Sequence, residues 1–456
     1  MAQQAMISDA AVDHLRRRIG VPVPNPLPPH YRVITTDVFR HAAEAYGDDN
    51  PLWCDGTYAQ ATRWQGPIAP PPLVGGDTLV GEDEVAEVPA EHQELMRGDP
   101  LRGVHAFYAA SAREWWAPLR PGAQVRRRNA LVGVFDKPSQ FAERAVHEWT
   151  GQVFRVQDGP LLAAQYRLMV RTERTKARDK AADRAAKVDA PAPAPAGADL
   201  AAGPGGAAND GETDGAKAAG PGDPYTDEQI AEIEAQYAAE GPRGREPRWW
   251  EDVSEGDTVG PLVKGPLTVT DMVCWHVGMG MGLYGVRALR LAARNRQRIP
   301  RFFHRDEQNV PDVMQRVHWD PGFAQRSGNP TTFDYGRMRE TWLIHLCTDW
   351  MGDDAWLWKL DCEFRKFNYV GDTQWLRGTV TRCYLAEGDR PAVDVDLVAE
   401  NQRGEVTTPG HATILLPSRE HGRVRTPEPP GRAQDLTEAL AAIAESFADG
   451  TRFGDR

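Results

Sequence analysis

The sequence predicts an α+β protein built twice over, each half a helix followed by a run of antiparallel strands. Three observations carry this: a change of composition near the middle, a helix-start signature in each half, and a strand–turn–strand ending in each half. From Lys176 to Pro224 the chain is rich in Ala, Gly and Pro and has no aromatic residue. Such a segment cannot bury enough apolar surface to offset its ordering entropy, so it reads as a disordered linker. The expected division is therefore residues 1–175, a linker over 176–224, and residues 225–456.

The helices are expected at Ile34 to Tyr46 and at Leu267 to His276. Each opens with Thr and Asp, which suit an N-cap and a first turn, and continues with apolar residues at helical spacing. The strand pairs are Ala145 to Phe154 with Leu161 to Val170, around Asp158-Gly159, and Val393 to Ala399 with His411 to Leu416, around Arg403-Gly404. Alternating apolar residues on either side of a glycine-bearing turn make these hairpins.

Composition narrows the function classes. The 456 residues carry a net charge of -12, which argues against general nucleic-acid binding. The five cysteines (Cys54, Cys274, Cys347, Cys362 and Cys383) form no CxxC pair, so neither a zinc site nor a disulfide framework is expected, and no other metal-ligand spacing is usable. The N-terminus lacks the apolar run of a signal peptide, and no apolar stretch reaches the ~18 residues of a membrane span. A soluble cytoplasmic protein is the expectation.

The residues after each helix carry a family resemblance. Gly47-Asp-Asp-Asn-Pro-Leu-Trp-Cys-Asp55, running on through Tyr58-Ala59 to Gly66-Pro-Ile-Ala-Pro-Pro71, resembles the N-terminal dehydratase domain of the MaoC-like (R)-specific enoyl-CoA hydratases. Trp53 stands where that family has its catalytic histidine, and Pro71, which has no N–H, stands at the glycine that supplies a backbone donor. In the second half, His318-Trp-Asp-Pro-Gly-Phe-Ala324 resembles the family loop, with Gly328 ten and Gly336 eighteen residues beyond the histidine. Val313 and Gln315 replace the usual carboxylate and amide ahead of it.

The resemblance implies a tandem hotdog fold, each half a bent antiparallel sheet around a central helix, the two forming a pseudo-dimer within the chain. It also implies addition or loss of water across the α,β bond of an enoyl or 3-hydroxyacyl thioester, carried by CoA or a carrier protein, with no redox cofactor or metal. His318 would be the general base and acid, because a histidine exchanges protons near neutrality. The Gly336 amide would hold the thioester oxygen if it opens a helix. Asp312, one residue off the family register, is the candidate carboxylate partner, while Asp320 reads as a cap and Asp48 as a structural remnant. Trp319, Tyr335 and Arg337, which flank these positions, are candidate substrate contacts.

Arg287, Arg290, Arg294 and Arg298 fall on one helical face. Arg290 and Arg294 are candidates for docking CoA phosphates or an acidic carrier; the plainer alternative is a solvated face. Gly280 to Gly285 fits GxGxxG but follows a helix signature and no βαβ unit, so it does not read as a dinucleotide site. Two rivals stay open: another hotdog acyl enzyme, such as a thioesterase or cyclase, and a non-catalytic acyl-binding subunit. Association of two copies into a homodimer is also left open.

Overall fold

The computed structural model describes residues 6–24, 28–75, 81–139, 143–173, 221–280 and 287–448. The expected linker falls outside the described residues up to residue 220, as does the glycine-bearing run from residue 281 to 286.

Among the described residues the helices are α1 (Asp9–Arg16), α2 (Thr36–Glu44), α3 (Gly56–Gln60), α4 (Asp227–Ala239), α5 (Val269–Gly278), α6 (Leu289–Arg298), α7 (Pro321–Arg326), α8 (Gly336–Met351) and α9 (Leu436–Ala448). The strands of the first half are β1 (Glu82–Asp83), β2 (His105–Trp115), β3 (Val125–Ser139), β4 (Glu143–Val156) and β5 (Leu161–Thr172). Those of the second are β6 (Thr258–Lys264), β7 (Phe303–Arg305), β8 (Pro311–Val313), β9 (Trp356–Glu363), β10 (Gln374–Ala386), β11 (Arg390–Asn401) and β12 (Val406–Leu415).

Both expected helices form where their caps predict. Thr35 caps α2 through Val38 N–H, and Thr268 forms a reciprocal capping box with Asp271 at the start of α5. The hairpins pair as β4 with β5 and β11 with β12. Ten strands make one sheet in the order β1-β3-β4-β5-β2-β9-β12-β11-β10-β6. The halves meet where β2 pairs antiparallel with β9, from Ala110 opposite Glu363 to Glu114 opposite Lys359. A second contact is α2 against α5, so close that a β-carbon on Gly278 would strike the His41 carbonyl and the Ala45 side chain. One core runs through both halves, joining Phe39, Trp53 and Leu73 to Leu343, Leu360 and Val395.

The second half wraps its strands around α8, which is buried on every side although it carries Arg337, Arg339, Glu340 and His345. Buried charges must be paired. Glu340 meets Arg113 of β2 at 2.7 Å and Arg337 at 3.4 Å, and Arg339 meets Asp334 at 2.9 Å. Between Pro71 and Val104 of the first half the described residues, which leave out 76–80, form short 3₁₀ turns and strand β1. Pro70, Pro71 and Pro72 are followed by Leu73, Val74 and then Gly75, whose φ of +86° lies outside the helical region. Helix α9, from the end of the chain, covers the outer face of the first half. Leu436, Leu440, Ile443 and Phe447 recur at helical spacing and pack on Trp116, Val153 and Tyr166.

Candidate functional site

The most open apolar groove, about 1100 Å³, lies where the start of α8 faces β2 of the first half. Phe107, Tyr108, Phe323, Phe333, Phe364 and Phe367 supply much of its wall, and His318, Asp334, Tyr335 and Gly336 lie along it. Both halves build it, so neither half alone would contain it.

His318 ends a 3₁₀ turn (Met314–His318) that follows the β7–β8 hairpin. Its Nδ1 lies 2.9 Å from the Phe333 carbonyl, which can only accept, so Nδ1 carries the proton and Nε2 presents a lone pair. The ring stacks on Tyr335 at 3.9 Å and meets Phe333 edge-on at 4.8 Å. Burial holds its pKa down to about 4, with the Phe333 and Asp334 carbonyls opposing and His276 assisting, so it is neutral near pH 7. Gly336 opens α8 with no side-chain cap. Its N–H has no acceptor among the described residues and adds to the positive end of the helix dipole.

Among the groove-lining residues, Gln315 Oε1, Asp334 Oδ1 and Arg339 Nε have no hydrogen-bond partner, although Arg339 Nε lies within ion-pair distance of Asp334 Oδ2. The other Asp334 oxygen, Oδ2, is taken by Arg339 Nε at 2.9 Å and Asn368 Nδ2 at 3.1 Å. Burial raises the Asp334 pKa, against the lowering effect of Arg339.

The remaining candidates separate. Asp312 is not the partner of His318: it sits in β8, its Oδ1 accepts from Val313 N–H at 2.7 Å, and no ion pair among the described residues involves His318. The inserted hairpin carries Asp312 on a different path from the family loop, so nearness in sequence does not become contact. Tyr335 lies in the groove. Trp319 and Arg337 do not line it, and the Arg337 guanidinium is drawn to Glu340 in the core. Arg290 and Arg294 stand on α6, which buries no residue, and also lie off the groove lining. The cations at the groove are Arg339, Arg365, Lys366 and Arg403. Asp320 caps α7 by accepting from Phe323 N–H at 2.8 Å.

In the first half the conserved-looking loop has become a structural knot. Asp48 Oδ2 accepts from Trp53 Nε1 at 2.8 Å and Tyr46 OH at 2.9 Å, and Oδ1 accepts from Asn50 N–H at 2.9 Å. The cavity beside it, walled by Trp53, Trp64, Trp115 and Trp356, holds only about 30 Å³, the room of roughly one water. His345 of α8 approaches Asp48 at 3.9 Å and Asp349 at 3.3 Å. These three bring ligand-type atoms within 4.8 Å of one another. Lys264 Nζ lies 2.9 Å from His345 Nδ1 and 3.0 Å from the Tyr46 carbonyl, and burial lowers its pKa, so this side-chain amine already occupies one side of the cluster.

Asp334 and the Lys264–His345 contact were missed in the sequence. Asp334 looks like an ordinary residue ahead of a helix, and its partners Arg339 and Asn368 become neighbours only after folding. The sole local signal is its position two residues before the Gly336 helix start.

Fold and groove together define a double-hotdog protein of α+β class. Among solved structures it is similar to a MaoC-like dehydratase, with a TM-score of 0.52 and 16% identity over 88% of this chain and 99% of that one. It also matches a MaoC-like dehydratase from Phytophthora capsici (TM-score 0.41, 11% identity, 85% and 94% covered). A Mycobacterium tuberculosis protein described as having a double hotdog fold gives 0.44 at 12% identity, over 88% and 99%. At such identities the likeness establishes the fold. No family model matches the chain, and no curated protein matches it. No helix among the described residues is long and apolar enough to cross a membrane.

Proposed function

We propose that this protein adds or removes water across the α,β bond of an acyl thioester held in the groove between its halves. The observation that carries this reading is that His318, with its Nδ1 held by Phe333, and Gly336, at the start of α8, both line one aromatic-walled groove. Hydration needs a base for the attacking water and a donor for the charge that develops on the thioester oxygen. His318 is neutral and its tautomer is set by Phe333, so Nε2 takes the proton of the water that attacks Cβ. The Gly336 amide, at the positive end of α8, holds the thioester oxygen as charge moves onto it. A bound acyl chain against the aromatic walls would displace water and strengthen both interactions. Arg365, Lys366 and Arg403 border the groove, each paired with a carboxylate (Glu363, Glu405 and Asp372), and the phosphates of a CoA or carrier-bound arm would compete for them.

The test is His318→Ala assayed on a series of trans-2-enoyl-CoA substrates through the loss of enoyl absorbance. The expected result is a fall in turnover of about 10²–10⁴-fold with unchanged thermal stability. Near wild-type turnover would overturn the assignment. Release of free thiol by the wild-type protein with no change in enoyl absorbance would favour a thioesterase.

A further inference from the structure

We propose that a second copy of this chain covers the outer face of α5, with α4 of each copy meeting α6 of the other. The inference does not depend on the reaction assigned above. None of these three helices contributes a residue to the lining of the groove.

The outer face of α5 is apolar. Val269, Val273 and Val277 recur every four residues, so they share one side of the helix, and they are 36%, 55% and 72% exposed. Aligning the N-caps Thr35 and Thr268 shows how unusual this is, because the matching residues of α2 are Thr36, Arg40 and Glu44. Arg40 and Glu44 form an exposed ion pair at 3.1 Å, the ordinary solution for a solvated face. Helix α5 packs on α2 through Gly278, on another side, and presents its valines to solvent. Single apolar residues on a surface need no explanation, but a stripe along a whole helix marks a contact.

The stripe alone is too small to hold two copies together. A stable dimer covers roughly 800 Å² on each partner, so the neighbouring helices must be covered as well. Helix α4 is tied to the approach to α5: the Tyr237 hydroxyl donates to the Gly265 carbonyl at 3.0 Å and accepts from the Gly265 N–H at 2.8 Å. It carries Asp227, Glu228, Glu232 and Glu234 and no basic residue. Helix α6, the next after α5 in the chain, carries Arg290, Arg294, Arg296 and Arg298 and no acidic residue. It buries no residue and leaves Leu289 89% exposed. Among the described residues none of these acids or arginines takes part in an ion pair.

An acidic helix, an apolar helix and a basic helix in succession make a self-complementary surface. A twofold axis at α5 sets valine against valine and brings α4 of one copy to α6 of the other, twice over. The net charge of -12 gives this pairing its weight. Two such chains repel one another in general, so their association needs local charge complementarity of this kind.

The experiment is analytical ultracentrifugation of the full chain at tens of micromolar, with circular dichroism to confirm folding. The wild type is expected at twice the chain mass, with an affinity that weakens as salt is raised. Val273→Asp with Val277→Asp, both at exposed positions, should give a folded monomer. Arg290→Glu with Arg294→Glu should raise the dimer Kd at least about tenfold, as should Glu228→Arg with Glu232→Arg. All four charge reversals together should return Kd to within about threefold of wild type. A combined variant that does not recover overturns the pairing of α4 with α6. Dimers indifferent to the two Val→Asp changes overturn the contact through α5. A monomeric wild type overturns the whole inference and leaves the face to a different protein.

Discussion

The two halves share a hairpin order and a loop pattern, yet they use the same loop position for opposite purposes. In the first half Trp53 occupies it, donates to Asp48 at 2.8 Å, and packs into a core with a cavity of about 30 Å³. In the second, His318 occupies it beside a groove of about 1100 Å³. The difference teaches that the fold itself does not make the site. What makes it is polar groups at the mouth of a buried helix, which the second half has in α8. The first half supplies a wall: β2 lines the groove, and Arg113 anchors Glu340 of α8 at 2.7 Å.

The sharpest break of this comparison is the pair of substitutions at the two loop positions. His318→Ala is expected to cost turnover and not stability. Trp53→Ala should do the reverse, lowering unfolding free energy by about 3–5 kcal/mol for a buried tryptophan while leaving kcat per folded molecule unchanged. Chemical denaturation and active-site-normalised kinetics would read both. Loss of kcat in folded Trp53→Ala would mean that the first half takes part in the chemistry.

The pH dependence gives a smaller but cleaner effect. Burial depresses the His318 pKa to about 4 from its ordinary value near 6.5. As a base it is active when neutral, so its protonation removes activity only as pH falls toward about 4. kcat/KM should therefore show no histidine limb between pH 6 and 7. A limb centred near 6.5 would indicate a solvated histidine.

The smallest effect concerns the arginines. Arg290→Glu with Arg294→Glu should change KM for an acyl-CoA by less than about twofold, as expected of exposed charges off the groove. Arg365→Glu with Lys366→Glu should raise KM by more than that, and the increase should depend on salt. Equal effects from the two pairs would restore a docking role for α6.

Much of the fold was legible because its signals are local. Thr35 and Thr268 announce helix starts, and Asp158-Gly159 and Arg403-Gly404 announce turns, since caps and turns depend on a few adjacent residues. The loop register also placed His318, Tyr335 and Gly336 along one groove. Asp312 failed as a partner because the β7–β8 hairpin redirects the chain, a matter of strand pairing and not of spacing. The route of α9 back to the first half was equally hidden, since its apolar stripe says that it must be covered but not by what.

The sequence by itself determined the repeated α+β pattern and placed Trp53 and Pro71 in the first half, and His318 and Gly336 in the second, at matching loop positions. These follow from residue type and short-range spacing. Only the tertiary structure decided that the halves share one sheet and one core, that Arg337 turns inward to Glu340, and that Asp334 is buried against Arg339 and Asn368. The physical reason is that burial and partnership are long-range properties. A carboxylate acquires its partners from groups such as Arg339 and Asn368, which the folded chain brings to it.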